Sequence, residues 1–374
     1  WLKRPKWRAG MAQPVALLPH AAELDEEAAF AAEFFPTVLR FSAVWTEHAV
    51  WTAEHDGACI QTICAVSVFA GPGRDGAPWT REGSPDAELS ALHRGFLLPT
   101  ARFRALSESL LTGFGLRMLA SPEQHELCGY FPLQYPLYSA RTSRCRWIPL
   151  PVPAGAGESG EPSHHAAEAL SQEAVRERCL AGCREIVEEK WRFCVLKDYC
   201  KSEKATAEHV RRFLQAPVAE AEDLADRCAE LAELRMRKRR LYRGIVLKEG
   251  VPLANYPGSC AAEGHEDQLF VKNEWRLWFA KGHLLEACPN SFQRADGVDA
   301  VPAGMLEATV QVAAACGNPY VTVDVAETED EDTDGSPRWI VLELGDGGSC
   351  GPAPDQDMRA HWQQLWAAFG RTPF

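Results

Sequence analysis

The chain has 374 residues, 46% hydrophobic and 24% charged, which is the make-up of a soluble globular protein with one large domain or two. A net charge of −13 argues against broad nucleic-acid binding and suits a cytoplasmic protein. No apolar run reaches the ~18 residues of a membrane-spanning helix. The thirteen cysteines are scattered, with no CxxC pair, as expected of reduced and mostly structural thiols.

The opening WLKRPKWRAG, before Met11, is basic but lacks the apolar core of a signal peptide. A start at Trp1 suggests a fragment or an upstream-extended reading frame. PVALLPH (14–20) reads as a short strand, and ELDEEAAFAAEFF as a helix that Pro36 ends or bends. Residues 64–88, with GPGRDGAPWTREGSPD, read as a glycine- and proline-rich loop. HRGFLLPTARFRALSESLLTGFGLRMLASPEQ then reads as strand, helix, glycine-marked stop and strand. This alternation predicts an N-terminal α/β domain with a partly parallel sheet over residues 11–150.

PVPAGAGESGEPSHH marks a linker, placed at 151–172, and a second domain fills 173–374. EAVRERCLAGCREIVEEKW (173–191) has helical spacing, with Val175, Cys179, Cys183 and Ile186 on one face. A strand at 193–201 and a charged helix at 221–240 follow. Four more strand-like runs come next: YRGIVLKEGVPL, DQLFVKNEWRLWFAKG, NPYVTVDVAET and PRWIVLELGDG. A helix over 301–317, capped by Gly317, lies between the second and third, and HWQQLWAAF closes the chain as an amphipathic helix.

Several strands carry charge among apolar residues. In CVLKDYCKS, Phe193, Val195, Lys197, Tyr199 and Lys201 fall on one side, so both ammonium groups point the same way. An edge strand that repels other sheets is the plain explanation; an anion that meets the lysines is the functional one. In NEWRLWF, Glu274, Arg276 and Trp278 share a face. Asp324 interrupts YVTVDVA, Glu343 sits inside WIVLELGDG, and Asp346 follows at its glycine turn. If these two runs pair as a hairpin, their carboxylates converge, and clustered carboxylates repel unless a cation joins them. Oxygen ligands suit Mg²⁺ held with substrate phosphates, and nearby lysines and an arginine suit the phosphates themselves. The pattern predicts a Mg²⁺–nucleotide site without a GxxxxGK[ST] loop; a solvated surface hairpin is the alternative.

Taken together, the blocks HRGFLLPTARFRALSESLL, LASPEQHELCGYFPLQYPLYSARTSRCRWIPL, CVLKDYCKS, YRGIVLKEGVPL, NEWRLWFAKG, YVTVDVAET and WIVLELGDGGSCG resemble the ATP-grasp superfamily. Their order, over about residues 90–350, is similar to the divergent clade that includes the eukaryotic assembly factor for translation initiation factor 2. The resemblance implies two lobes clamping ATP, preceded by an α/β pre-ATP-grasp-like domain. It implies that Lys197, with Lys201 close by, contacts phosphates. Glu249 would lie at the hinge between the lobes, placed for the base or ribose, and the backbone around Gly250, Val251 and Leu253 would face adenine. Arg276 would hold the γ-phosphate or an acyl phosphate, and Asp324, Glu343 and Asp346 would ligate Mg²⁺. The implied activity is ATP-dependent ligation of a carboxylate to an amine, on a small amino acid-like molecule or a protein side chain. The assembly factor in the same clade implies the alternative, a nucleotide-dependent binding protein or chaperone. Two departures stand out: Gly345 replaces the Asn of the family's Glu-x-Asn metal strand, and Lys248 stands where relatives often carry arginine.

Other signals carry less. DEDTDG (330–335) resembles half a calcium loop but lacks its final glutamate. RMRKRR (235–240) continues a charged helix and reads as a solvated face rather than a nuclear signal. No cysteine has a defined base beside it for thiol catalysis.

Overall fold

The computed structural model describes residues 15–19, 25–35, 37–45, 60–68, 78, 89–95, 97–98, 100–150, 171–200, 206–237, 243–255, 272–289, 303–332, 335–353 and 356–369. The N-terminal elements are β1 (Val15–Pro19), α1 (Asp25–Phe34), β2 (Val38–Trp45), β3 (Ile60–Val68), β4 (Leu89–His93), α2 (Thr100–Phe114) and β5 (Leu116–Met118). They build a five-stranded sheet of order β3-β2-β1-β4-β5. β1 pairs in parallel with β2 and β4, β4 pairs in parallel with β5, and only the β2–β3 pair is antiparallel. The run VALLP is apolar throughout because β1 is buried on both faces. Val15 and Leu17 join the core under α2, while Ala16 joins a second core with Ala28 and Ala31 of α1.

Next come α3 (Pro122–Gly129), α4 (Phe131–Gln134) and β6 (Cys145–Pro149). Ser121 starts α3 with a reciprocal capping box: its hydroxyl accepts from the Gln124 backbone while the Gln124 side chain accepts from the Ser121 N–H. Besides short helical turns at 135–141 and 207–214, there follow α5 (Gln172–Glu188), β7 (Phe193–Asp198), β8 (Ala216–Pro217), α6 (Ala221–Arg237), β9 (Gly244–Glu249), β10 (Glu274–Ala280), β11 (His283–Pro289), α7 (Ala303–Cys316), β12 (Tyr320–Glu331), β13 (Pro337–Asp346) and α8 (Met358–Phe369). They form two antiparallel four-stranded sheets, β6-β9-β7-β8 and β11-β10-β12-β13.

Helices α5 and α6 cover one face of the first of these sheets. Val175, Cys179, Cys183 and Ile186 meet Leu224, Cys228 and Leu231 over Cys194, Leu196, Ile245 and Leu247. Burying each such aliphatic side chain contributes about 1.5–3 kcal/mol, which sets the face these strands turn inward. Helix α7 covers one face of the other sheet through Met305, Val312 and Cys316. The far end of that sheet's opposite face, at Trp278, Ala280 and Tyr320, is covered by Trp362, Leu365 and Phe369 of α8 together with α1.

Two boundaries differ from the sequence expectation. β6 pairs along its length with β9, so residues 145–149 belong to the sheet of the following lobe although they precede the Pro/Gly-rich stretch. Composition marks where a linker is expected, whereas a strand's membership follows its hydrogen bonds, and those pair β6 with β9. At the other end, α8 returns to the N-terminal unit, where the Phe35 and Trp362 rings meet edge to face at 5.4 Å. Within the expected loop 64–88, residues 64–68 extend β3; of the rest, only Pro78 lies among the described residues. The expected linker also lies outside them, up to Ser171, which caps α5.

Candidate functional site

Strand alternation sorts the lysines. In β7, Cys194, Leu196 and Asp198 turn toward α5 and α6, so Phe193, Val195 and Lys197 take the opposite face. In β9, Ile245 and Leu247 turn inward, leaving Val246 and Lys248 beside them on that same opposite face. The register pairs Val195 with Lys248 and Lys197 with Val246, which makes the two lysines diagonal neighbours. Both lie over the ring of Phe131 from α4, with Lys197 Nζ at 5.0 Å and Lys248 Nζ at 5.5 Å from its centroid. Asp198, on the other face, is fully buried and accepts from Arg235 Nε at 2.6 Å. The first arginine of RMRKRR is thus a buried partner, not part of a solvated face.

The facing sheet supplies a row of charges. Arg276, Asp324 and Glu343 are direct cross-strand partners on β10, β12 and β13. Arg276 grips Asp324 with both arms of its fork, Nε to Oδ1 at 2.8 Å and Nη2 to Oδ2 at 2.7 Å. Glu343 Oε2 reaches across to Lys197 Nζ at 2.6 Å. A register shift after Asp324 leaves Leu342 without a β12 partner, and its carbonyl accepts from Lys248 Nζ at 3.0 Å. Lys197 therefore meets a carboxylate of the facing sheet and Lys248 a backbone carbonyl there.

Burial dominates the electrostatics of Lys248, which is 7% exposed. Desolvation pushes its ammonium down to about 8, with the neighbouring Lys197 charge adding to the fall and Cys145, Glu343 and Glu274 opposing it. For Arg276 burial acts in the same sense, but the charge and hydrogen bonds of Asp324 outweigh it and raise the guanidinium further. Two buried lysines side by side can be neutralised by anionic oxygens, whether of a carboxylate or of a ligand.

Beyond Lys248, Glu249 ends β9 and is held by Arg144, Nη2 to Oε1 at 2.8 Å and Nε to Oε2 at 2.9 Å. Gly250 follows at a close approach: a Cβ there would lie 1.9 Å from Phe193 Cε2. Its N–H donates to the Phe193 carbonyl at 2.9 Å. The chain then runs to the outer part of β12, where Leu253 bridges Thr328 and Ala254 N–H donates to Glu327 O. Glu249, Gly250, Val251 and Leu253 thus form the strip that connects the two sheets beside the lysines.

The structure brings Lys197, Lys248, Arg276, Asp324 and Glu343 together, but not Asp346. Glu343 and Gly345 share a face, so Asp346 turns to the other side of β13, where it is buried against α3. There its Oδ2 meets His125 Nδ1 at 2.5 Å, and its Oδ1 accepts from Gly348 N–H at 2.9 Å. Burial alone would raise this carboxyl, but those hydrogen bonds hold it below its usual value. One residue of displacement along a strand reverses the face, which is why Asp346 cannot stand in for the missing asparagine. At Gly345 a Cβ would fall 2.2 Å from Cys350 Sγ and 2.5 Å from Thr322 Oγ1, so those two side chains fill the asparagine's place. Among the described residues no group of three or more His, Cys, Asp or Glu could hold a metal ion. The cleft offers two opposed carboxylates, the oxygen donor set that Mg²⁺ takes together with phosphates. Lys201 lies outside the described residues.

Sequence reasoning missed Phe131, His125 and Arg144. All three lie in the block LASPEQHELCGYFPLQYPLYSARTSRCRWIPL, where no local spacing sets them apart. Their partners are 66 or more residues away for Phe131, 221 for His125 and 105 for Arg144, too far for local spacing to show. Arg94 is another. Its Nε pairs with Glu27 at 2.5 Å and its Nη1 donates to Gly347 O at 3.1 Å, which fixes the turn after β13 to the N-terminal sheet.

Residues 189–365 match the model of an ATP-grasp domain family, the third family of its clade. No curated protein matches the sequence. Among solved structures, the D-cycloserine synthetase DcsG is 16% identical, covering 94% of this chain and 98% of that one at a TM-score of 0.46. The macrocyclase MdnC from Microcystis aeruginosa, bound with precursor peptide MdnA, is 11% identical, covering 96% and 100% at a TM-score of 0.48. Cdc123 from Schizosaccharomyces pombe is 13% identical, covering 60% and 85% at a TM-score of 0.36.

Proposed function

We propose that the protein, whose residues 189–365 match the model of an ATP-grasp domain, binds Mg²⁺–ATP in the cleft between its two antiparallel sheets and uses it to join a carboxylate to an amine. The observation that carries this reading is the row Arg276–Asp324–Glu343 on one sheet facing Lys197 and Lys248 on the other. Lys197, Lys248 and Arg276 are the residues to hold phosphate oxygens, and Glu249, Gly250, Val251 and Leu253 those to border the base. Asp324 and Glu343 are the residues to hold Mg²⁺, which when bound neutralises phosphate charge. Lys201 is kept as a second phosphate contact, and Asp346 is given the different task of anchoring the metal strand from behind.

On this reading each cation of the cleft exchanges a carboxylate for a phosphate oxygen. Lys197 leaves Glu343 and Arg276 loosens from Asp324, which frees both carboxylates for the metal. The protein's share in the reaction is charge stabilisation and positioning. Lys197 and Arg276 stabilise the γ-phosphoryl group as its bond to ADP breaks and its bond to the substrate carboxylate forms; the amine then attacks the acyl carbon, the C–O bond to phosphate breaks, and inorganic phosphate leaves as the amine's proton is released. Lys248, half-deprotonated at about pH 8, regains its full charge when an anion arrives.

A specific observation favours a second reading. Glycine in the third metal-facing position, covered by Cys350 and Thr322, leaves two carboxylates for metal, which fits a nucleotide-dependent assembly factor that binds without turnover. Incubation with ATP, Mg²⁺, hydroxylamine and panels of carboxylates and peptides separates the two. A ligase gives ADP and a hydroxamate that depend on the carboxylate; binding of Mg²⁺–ATP without either product supports the assembly factor.

A further inference from the structure

The N-terminal unit's α3 and the C-terminal turn of α7 meet at two cysteines. Cys128 Sγ and Cys316 Sγ are 3.6 Å apart across 188 residues of sequence, and both are buried. Asn318 brackets them: its backbone N–H points at Cys316 Sγ at 3.4 Å and its side-chain Nδ2 at Cys128 Sγ at 3.5 Å. One turn earlier on α3, Gln124 Nε2 donates to Gly317 O at 2.6 Å, so the two helix ends are tied beside the sulfur pair. The two thiols are also inequivalent. The Cys128 S–H, with help from Asn318 N–H, holds Cys316 below the ordinary thiol value despite its burial. Cys128 is pushed well above that value by the same contact and by burial.

We propose that Cys128 and Cys316 form a peroxide-oxidisable dithiol that closes to a disulfide and staples α3 to α7. Cys316 thiolate attacks one oxygen of hydrogen peroxide; an S–O bond forms, the O–O bond breaks, and hydroxide leaves and takes up a proton to become water. Cys128 sulfur then attacks the Cys316 sulfenic sulfur. The S–S bond forms, the S–O bond breaks, and the departing hydroxide takes the Cys128 proton as a second water. In sum two thiols lose two electrons and two protons, and one peroxide becomes two waters. The sulfurs, 3.6 Å apart, close to a bonding distance of about 2.0 Å. Helix α3 carries His125, which holds Asp346, and α7 packs behind the β12–β13 hairpin, so the staple would fasten both supports of the Asp324–Glu343 row.

The test is made on the full folded chain. It is treated with graded hydrogen peroxide, quenched with an alkylating agent in denaturant, and digested without reductant for mass spectrometry. The expected result is a Cys128–Cys316 linked peptide, lighter by two hydrogens and released by dithiothreitol, appearing before links among Cys179, Cys183 and Cys228, which also lie together. In Cys128→Ser, Cys316 should instead give a sulfenic acid that dimedone traps, and in Cys316→Ser the link should vanish without a sulfenic acid at Cys128. Recovery of Cys128 and Cys316 as alkylated thiols, at peroxide levels that oxidise other cysteines of the still-folded chain, would overturn the proposal. So would their scrambling among all partners.

Discussion

Lys248→Met isolates what the cleft costs the protein. The lysine is buried, and desolvation moves its pKa from 10.5 to about 8. The unfolded chain keeps the ordinary value, so between these two values it binds the proton that the folded chain has released. Stability therefore rises with pH through that window. Integrated at pH 7, holding the charged ammonium in the fold costs roughly 3 kcal/mol, and at pH 9.5 roughly 1 kcal/mol remains. Methionine removes this cost but strands the Leu342 carbonyl, whose hydrogen bond is worth about 1 kcal/mol. The variant should be more stable than the parent by ~2 kcal/mol at pH 7 and nearly equal to it at pH 9.5, as read from urea unfolding at both values. Mg²⁺–ATP binding should weaken at the same time, the trade of stability for function that an anion-receptive lysine implies. A variant less stable than the parent at pH 7, or an advantage that does not shrink with pH, would refute the electrostatic reasoning.

Gly250→Ala drives a methyl into the Phe193 ring and should cost about 1–3 kcal/mol in denaturant unfolding, with weaker nucleotide binding because that ring borders the cleft. His125→Ala leaves the Asp346 carboxylate buried without its ring partner, for a loss of about 3–5 kcal/mol at neutral pH. The folded Asp346 pKa lies below the unfolded value of 3.8, so its contribution is present above that value and is lost as pH falls through the folded one. The acid-unfolding midpoint of His125→Ala should accordingly lie at a higher pH than that of the parent; an unchanged midpoint would show that this pair does not anchor β13.

Much of the fold was legible because periodicity reports burial. Val175, Cys179, Cys183 and Ile186 are all buried, as their helical spacing predicted, and Asp324 and Glu343 do face each other across a hairpin. The motif order pointed to the two sheets, while the pairing of β6 with β9 and the packing of α8 on α1 rest on partners far along the chain, which local spacing does not show. Asp346 shows why a motif is not a geometry: its type suited a metal ligand, but the two-residue repeat of β13 put it behind the sheet. β11 escaped notice because HLLEACP has no strict alternation; its place comes from the two-residue turn Lys281–Gly282 and pairing with β10. Phe131 had no signal at all as a cation partner, since it reaches Lys197 and Lys248 only once α4 is wedged between the sheets.

The central claim is that one cleft holds nucleotide through Lys197 and Lys248 on one sheet with Arg276 on the other, and metal through Asp324 and Glu343 beside Arg276. Calorimetric titration of ATP into the folded protein, with and without Mg²⁺, tests it directly when repeated for Lys197→Ala and Asp324→Asn. The account predicts micromolar-range binding that requires Mg²⁺ and is lost in both variants. A folded parent that binds no ATP, or variants that bind it as the parent does, would contradict the claim.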